Sequence, residues 1–453
     1  MTTPLATTDS AEAEPTADNT FKSLLRNRDY ARLWAGQLVS NIGTAISSLA
    51  LLFYAYSLTQ SALAMAILAM AQTAPVVIFA GFVGVYVDRW NRKTIMVASD
   101  IVRSILILFI PLAVYFPGNV PPIYWVYTLT FLYAVANAWF FPARNASIPN
   151  LVGADELVAA NSLSQMTFQV VQLTIPPLGG VLVALLAPDY FIAFAITAST
   201  FVFSAVSLRS IRTSLVPKGK ISKESVSTQV IQGGRYVAGN SILQFFFIFA
   251  ILLAGSSGIL NALMMPHLEG YIGITEIQFG IILSAGAAVG TLTAYVLGTR
   301  KKIPYPLYLV SFAGLVAGIA VFGFAFSTEF WGVLLSWALI GSVDVMLNIP
   351  LATLMQDLVV DNYRGRVFAL LNVVFTAVQV LGMAVGGVWA EAVVSTIAPL
   401  IGAAIGLLAV SVLGVLAVSK WDLHGKLDIM LNDSEKHVAR DTESSEVLLE
   451  TPV

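Results

Sequence analysis

The sequence predicts an all-α integral membrane protein with twelve transmembrane helices in two pseudo-symmetric halves of six. Hydrophobic residues make up 57% of the 453 positions, which is more apolar surface than a soluble domain can cover. The apolar runs are continuous, whereas transmembrane strands would alternate between apolar and polar residues. Parts of the second half repeat the first at a constant offset of 207 residues, which predicts the division into halves.

Twelve apolar runs are long enough to cross a bilayer as helices, which takes about 20 residues. They cover 34–58, 62–87, 94–116, 121–142, 163–187, 190–208, 241–267, 277–299, 305–326, 330–352, 367–390 and 396–418. Within the repeat, Gln172 matches Gln379 and Gly179-Gly180-Val181 matches Gly386-Gly387-Val388. The fourth and fifth runs therefore correspond to the tenth and eleventh.

A long polar stretch, residues 209–240, divides the runs into six and six. We therefore predict an N-terminal half at 21–208, a linker at 209–240 and a C-terminal half at 241–419. Residues 1–20 contain acidic residues and no Lys or Arg, which predicts a disordered tail rather than a signal peptide. Residues 420–453 lack a sustained apolar face and are predicted to form a second solvent-exposed tail.

The distribution of positive charge predicts the orientation. All 24 Lys and Arg residues fall in the tails, in the linker, in the connections on one side, or at the helix ends beside them. The opposite connections carry acidic residues instead: Asp189, Glu269, Glu276, Glu329 and Glu391. Positive charge resists translocation, so the tails and the linker are predicted to be cytoplasmic.

The connection between the second and third runs, residues 84–93, is short and basic. It contains Gly84, Asp88, Arg89, Arg92 and Lys93 in the pattern Gly-x-x-x-Asp-Arg-x-x-Arg-Lys. A basic turn alone is unspecific, but the spaced glycine and aspartate at this point resemble the signature loop of the major facilitator superfamily. The resemblance implies the major facilitator fold and a gating role for these five residues.

Amide side chains within the runs indicate which helices face a cavity, because a buried amide needs partners or water. The third, sixth, ninth and twelfth runs contain no Asn or Gln, which predicts that they face lipid. Seven of the other eight runs carry the predicted lining of a substrate cavity: Gln37, Asn41, Gln72, Asn137, Gln165, Gln169, Gln172, Asn261, Trp337, Asn348, Asn372 and Gln379. The alternative is that these amides join helix to helix.

Asp344 is predicted to be the proton-coupling group, since it is the one ionisable residue that we place far from both membrane faces. Steps of four, three and four put it on one helix face with Trp337, Gly341 and Asn348, and its counterpart in the first half is Asn137. A low dielectric favours the neutral form of a carboxyl group, which lets it exchange protons near neutral pH. The alternative is a structural carboxylate held by neighbouring helices.

The remaining charged candidates complete the predicted conformational gate: Asp100, Arg103, Arg144, Arg364 and Arg366. Asp100 and Arg103 are one helical turn apart and are expected to pair with each other or with the signature loop. Asp88 is expected beside residues 364–367 whenever the cytoplasmic side is closed, where it can bind basic groups or the positive end of a helix dipole.

The sequence does not support an enzyme. It has no cysteine, no metal-ligand cluster, no phosphate-binding glycine loop and no Ser/His/Asp set. We expect no cofactor, with a proton gradient as the energy source. The expected partners are a small-molecule substrate, protons and the lipid bilayer, with no nucleic acid, and the expected state is a monomer.

Several motifs resemble the macrolide-efflux-like branch of bacterial drug–proton antiporters. They are Tyr30-x-Arg32-Leu33-Trp34, Phe141-Pro142-Ala143-Arg144, Ala160-Asn161-Ser162-Leu163 and Arg364-Gly365-Arg366-Val367. The resemblance implies alternating access and proton-coupled export of amphipathic drug-like compounds, such as macrolides, across a bacterial inner membrane.

Two departures from the antiporter pattern leave alternatives open. Ile175 stands where the pattern Gly-Pro-x-x-Gly-Gly begins, and the fourth run lacks a central arginine. The alternatives are an exporter of an endogenous siderophore or lipid, a nutrient importer, and a transport-inactive membrane sensor or assembly partner.

Overall fold

The computed structural model describes residues 17–116, 120–217, 226–300 and 305–420, together with 422, 425 and 427. Within these ranges the regular structure is helical and no strand occurs. The helices are α1 (Ala17–Arg26), α2 (Arg28–Thr59), α3 (Ala62–Val87), α4 (Arg92–Phe109), α5 (Pro122–Leu151), α6 (Leu157–Leu186), α7 (Phe191–Arg209), α8 (Val226–Ala238), α9 (Ser241–Met265), α10 (Glu276–Gly298), α11 (Pro306–Phe326), α12 (Phe330–Leu358), α13 (Asp361–Val393) and α14 (Ile397–Lys420). Short 3₁₀ turns cover Pro111–Tyr115 and Ala154–Glu156, and a π-helical turn covers Pro266–Ile272.

Polar caps determine where several long helices begin. The side chain of Asn27 accepts hydrogen bonds from the first backbone N–H groups of α2, and Asn240 does the same for α9. At the start of α10, Thr275 and Gln278 form a reciprocal capping box. Each cap gives a partner to backbone donors that the first helical turn leaves free.

Eleven of the long helices are apolar enough, by length and composition, to cross a membrane. The exception is α4, which we predicted to span 94–116. It ends at Phe109, because Pro111 has no N–H with which to continue the helix. It also contains four charged residues, Arg92, Lys93, Asp100 and Arg103. Since α4 packs along α5 and α7, it still completes the first six-helix half.

Other boundaries differ because the helices extend beyond the apolar runs. α5 continues through Pro142 to Leu151, as membrane helices tolerate proline where neighbouring groups replace the lost hydrogen bond. α1 begins at Ala17, so the end of the predicted disordered tail is helical, and α8 lies inside the predicted linker. Residues 1–16, 218–225 and 428–453 of the predicted tails and linker lie outside the described residues.

The two halves repeat one packing arrangement. In the first half α4 packs against α5 and α7, and in the second half α11 packs against α12 and α14. The linker helix α8 packs against α13 and α9, and therefore associates with the second half. The outward faces carry exposed apolar side chains such as Phe82, Leu185 and Trp331, which suits contact with lipid.

The halves touch each other at one end of the molecule. We call the end that carries residues 84–93 the loop side, and the opposite end the far side. On the far side the rings of Phe53 (α2) and Phe279 (α10) meet edge to face at 5.4 Å. There also the Ser61 hydroxyl donates to the Glu391 carboxylate at 3.2 Å. These contacts close the far side.

Two glycines related by the repeat make this close approach possible. A Cβ atom on Gly180 of α6 would overlap the Glu276 carbonyl oxygen at the start of α10. A Cβ atom on Gly387 of α13 would overlap the side chain of Ala66 on α3. Small residues let helices in a membrane approach backbone to backbone, so both inter-half contacts depend on the missing side chain.

Candidate substrate cavity

A cavity of about 1390 Å³ lies between the two halves. Its walls come from α2, α4, α5 and α6 in the first half and from α10 and α12 in the second. The walls include Asn145, Asn161 and Thr291, which lie near the loop-side ends of their helices. Because the far side is closed by the inter-half contacts, the cavity opens toward the loop side.

Seven of the twelve predicted lining residues line this central cavity, together with Asp344: Gln37, Asn41, Asn137, Gln165, Gln169, Gln172 and Trp337. The first half supplies the amides, and the second half supplies the indole and the carboxylate. Phe140, Phe141 and Phe168 add aromatic surface from α5 and α6. A large cavity with aromatic walls and dispersed amides suits bulky amphipathic ligands.

The other five predicted lining residues lie elsewhere. Gln72 and Asn261 line a cavity of about 200 Å³ between α2, α3 and α9. Asn348 and Asn372 line a cavity of about 380 Å³ inside the second half, which we call the C-half pocket. Gln379 donates to the Ser257 hydroxyl at 3.3 Å and so joins α13 to α9. The structure therefore does not bring these five to the central cavity. Four of them lie on α3, α9 and α13, which pack against one another, and Asn348 lies on α12 beside the C-half pocket.

Asp344 lies at the junction of two cavities, since it lines both the central cavity and the C-half pocket. The Asn348 amide donates to its Oδ1 at 2.8 Å and to its backbone carbonyl at 2.9 Å. No described residue donates to Oδ2, and no described Lys or Arg forms an ion pair with this carboxylate. The side chain is exposed, so a proton or a cationic ligand can reach it from the cavity.

Arg103 is a second ionisable group that reaches the central cavity. It lies about 16 Å along α4 from the loop-side start of that helix, deeper than its predicted place at a helix end. Arg103 forms the expected ion pair with Asp100, and its Nη1 donates to Asn137 Oδ1 at 2.9 Å. Both charged side chains are buried.

The signature loop is attached to the first half. Arg92 donates to the Ala146 carbonyl at 2.7 Å, and Lys93 donates to the Ile211 carbonyl at 3.1 Å. Asp88 and Arg89 are exposed, and within the described ranges neither has an ion-pair partner. The loop therefore presents a free carboxylate at the open mouth of the molecule.

Comparison with known proteins identifies the fold and the family. The family described as transmembrane secretion effector matches residues 20–448. The chain belongs to the major facilitator superfamily. It is 28% identical over 382 residues to the uncharacterized MFS-type transporter YfiS of Bacillus subtilis (strain 168), covering 82% of this chain and 89% of the relative.

A second relative agrees with this assignment, and a solved structure agrees with the fold. The transporter is 25% identical over 375 residues to macrolide efflux protein A of Streptococcus pyogenes, covering 79% of this chain and 88% of the relative. A bacterial homologue of the iron transporter ferroportin in an inward-facing state has the same fold, with a TM-score of 0.63 and 18% identity over 86% of this chain and 99% of its own. The protein is thus a multi-pass membrane transporter, not an enzyme, with efflux proteins and bacterial proteins among its relatives.

The remaining predicted gate residues lie near the loop-side mouth but do not meet Asp88. Arg144 lines the central cavity and donates to Asn145 at 3.1 Å. At the start of α13, Arg364 donates to the Val359 carbonyl at 2.9 Å, and the Arg366 guanidinium lies over the Tyr363 ring at 5.2 Å. In a transporter whose loop side is open, the two halves are apart at this level.

The close packing of α10 against α12 in the cavity wall was not predicted from the sequence. Gly286 and Gly290 of α10 face Gly341 of α12, where an added Cβ on Gly341 would overlap the Gly286 backbone. This packing brings Trp337 and Asp344 to the central cavity. The four-residue spacing of the two α10 glycines is the small-residue signal that predicts such a contact.

Proposed function

We propose that this transporter is a proton-coupled exporter of amphipathic, mostly apolar compounds, of which macrolides are one class. The proposal rests on one observation: an exposed carboxylate, Asp344, in a large cavity lined by amides and aromatic rings. Such walls offer many weak contacts to bulky ligands, whereas sugars or phosphates would need a more polar or more basic lining. The relationship to macrolide efflux protein A supports the same substrate class.

Transport proceeds by alternating access of the central cavity to the two sides of the membrane. The loop side carries the excess of Lys and Arg, so we assign it to the cytoplasm together with both termini. On this assignment the cavity described above is inward-facing. Closing the loop side brings Asp88 to the basic start of α13, while the far-side contacts at Gly180 and Gly387 separate. A single chain in a bacterial inner membrane carries out the whole cycle.

Asp344 couples the cycle to protons. When the cavity faces the more acidic outside, its carboxyl group binds a proton, and when the cavity faces the cytoplasm it releases the proton. Substrate binds to the ionised form and leaves after the next protonation. Asn348 orients the carboxylate through Oδ1 and leaves Oδ2 for the proton.

Asp344→Asn tests this role, because it keeps volume and hydrogen bonding while removing titration. In proteoliposomes with an imposed pH gradient, we expect the variant to lose concentrative transport of a macrolide by at least tenfold. It should still equilibrate the compound down its own concentration gradient. Asp189→Asn is the matched control, since Asp189 is an exposed carboxylate on the far side whose Oδ1 accepts from the Phe191 N–H, a bond that asparagine can keep. Wild-type concentrative transport by Asp344→Asn would refute the coupling role.

A further inference from the structure

The proposed transport cycle assigns no role to the C-half pocket. It has a volume of about 380 Å³, within the range of small-ligand sites. Its walls are mostly apolar and include Phe246, Phe249 and Phe375. Asp344 and Ile340 line both this pocket and the central cavity, so the two spaces adjoin at this carboxylate.

The internal repeat shows what the corresponding space holds in the first half. There α4 takes the place of α11, and its Arg103 donates to Asn137, the residue that repeats as Asp344. The Arg103 guanidinium also lies over two aromatic rings, at 4.4 Å from that of Phe140 and 4.5 Å from that of Phe201. In the first half, the protein therefore supplies its own cation, the Arg103 guanidinium, to a space between aromatic rings.

The second half has a comparable space, to which α11, the counterpart of α4, supplies no cation. α11 contains no charged residue, and its Val310 and Ala317 line the C-half pocket. Asp344 replaces the amide with a carboxylate. Phenylalanine rings line the space here too, but from α9 and α13, since Leu347 repeats Phe140. The second half therefore offers a negative charge and aromatic faces, both of which attract a cation.

We propose that the C-half pocket binds the cationic head of the transported compound, with the body of the compound in the central cavity. The head is an ammonium, amidinium or guanidinium group on a compact aromatic or aliphatic substituent. Its charge pairs with Asp344, and its apolar surface packs on the phenylalanine rings. This proposal rests on the proposed function in one respect, which is that the occupant is the compound being transported.

The absence of cysteine from the chain allows a test that does not depend on transport. Ser256 lines the pocket and has no described hydrogen bond from its side chain, so Ser256→Cys places one thiol there with little change in volume. In purified protein we would compare its rate of modification by a trimethylammonium-ethyl thiosulfonate and by the anionic sulfonatoethyl analogue. Ser162→Cys, in the first-half wall of the central cavity, is the reference.

The cation-to-anion rate ratio at Ser256→Cys should exceed that at Ser162→Cys by at least tenfold. Adding Asp344→Asn should bring the two ratios together. Benzyltrimethylammonium, an aromatic cation of suitable size, should protect Ser256→Cys from a small neutral thiol reagent and leave Ser162→Cys reactive. Ala317→Leu should abolish that protection by filling the pocket from α11, whereas Ile319→Leu on the exposed face of the same helix should not.

The proposal is wrong if the two ratios are equal in the presence of Asp344, if Asp344→Asn leaves them unequal, or if the aromatic cation gives no protection. An unreactive Ser256→Cys thiol in folded protein would also refute it, because the pocket would then not be open to the cavity. These outcomes are separate from the transport assay. Cation-selective labelling together with a lack of proton-driven transport would refute the proposed function and leave the binding site standing.

Discussion

In the first half the charges deep in the molecule neutralise one another, whereas in the second half a carboxylate is left open to the cavities. Asp100 and Arg103 are 0% and 4% exposed and pair with each other, and Arg103 also donates to Asn137. Asp344 has only Asn348 as a described side-chain partner and is exposed. The same helix packing therefore serves stability in one half and leaves a charge available for ligands in the other.

Breaking the ion pair of the first half should have the largest effect on stability. Arg103→Met leaves the buried Asp100 carboxylate without its cation, which costs about 3–5 kcal/mol. Asp344→Asn removes no ion pair, and we expect its free energy of unfolding to stay within about 0.5 kcal/mol of wild type. Thermal unfolding in detergent, followed by tryptophan fluorescence, compares the two variants directly.

A double variant separates the ion pair from general packing. In Asp100→Leu combined with Arg103→Met, both charges are gone, and apolar side chains of similar size often replace a buried ion pair at little cost. We therefore expect most of the lost stability to return. Equal destabilisation by Arg103→Met and Asp344→Asn would mean that the two halves do not differ in the way described.

The repeat-related glycines test whether the two far-side contacts are equivalent. Gly180→Ala forces a methyl group against the Glu276 carbonyl oxygen, a backbone atom that cannot rotate away. Overpacking of this kind costs about 1–3 kcal/mol, and here it disfavours the far-side-closed state. In Gly387→Ala the added methyl group meets the methyl group of Ala66 instead. We therefore expect this variant to disfavour the far-side-closed state no more than Gly180→Ala does.

Spin labels on cysteines at positions 189 and 329 lie on the far side of opposite halves. Opening of the far side would appear as a longer distance between the two labels. Gly179→Ala is the matched control, since its added Cβ would lie 3.8 Å from the nearest atom, Ile46 Cα, which is ordinary contact. A change as large in the control as in Gly180→Ala would contradict the role of the close backbone approach.

The smallest expected effects come from the amides beside each charge. Asn137→Ala removes an acceptor from Arg103, at a cost of about 1 kcal/mol, because water in the central cavity replaces the bond only in part. Asn348→Ala removes a donor from the exposed Asp344, and we expect no measurable loss of stability. The same unfolding assay checks both, and a greater loss for Asn348→Ala would reverse the comparison.

The sequence alone was sufficient for the features that depend on neighbouring residues. The apolar runs predict the long helices, because spanning a bilayer needs only a continuous stretch of sufficient length. The order of Gly84, Asp88 and Lys93 in a short connection predicts the family, which the match over residues 20–448 confirms. The predicted helix ends were less accurate. The Asn27 cap starts α2 before its apolar run, and α5 continues past its apolar run through two prolines.

Only the tertiary structure decided which side chains share a cavity. Asn372 and Gln379 have the same spacing as Gln165 and Gln172, yet the first pair packs within the second half and the second pair faces the central cavity. Arg103 likewise looks like a residue near a helix end until α4 is seen to bring it beside Asn137. Helix rotation and the space between helices depend on packing between segments far apart in the chain, and periodicity along one helix carries no record of them.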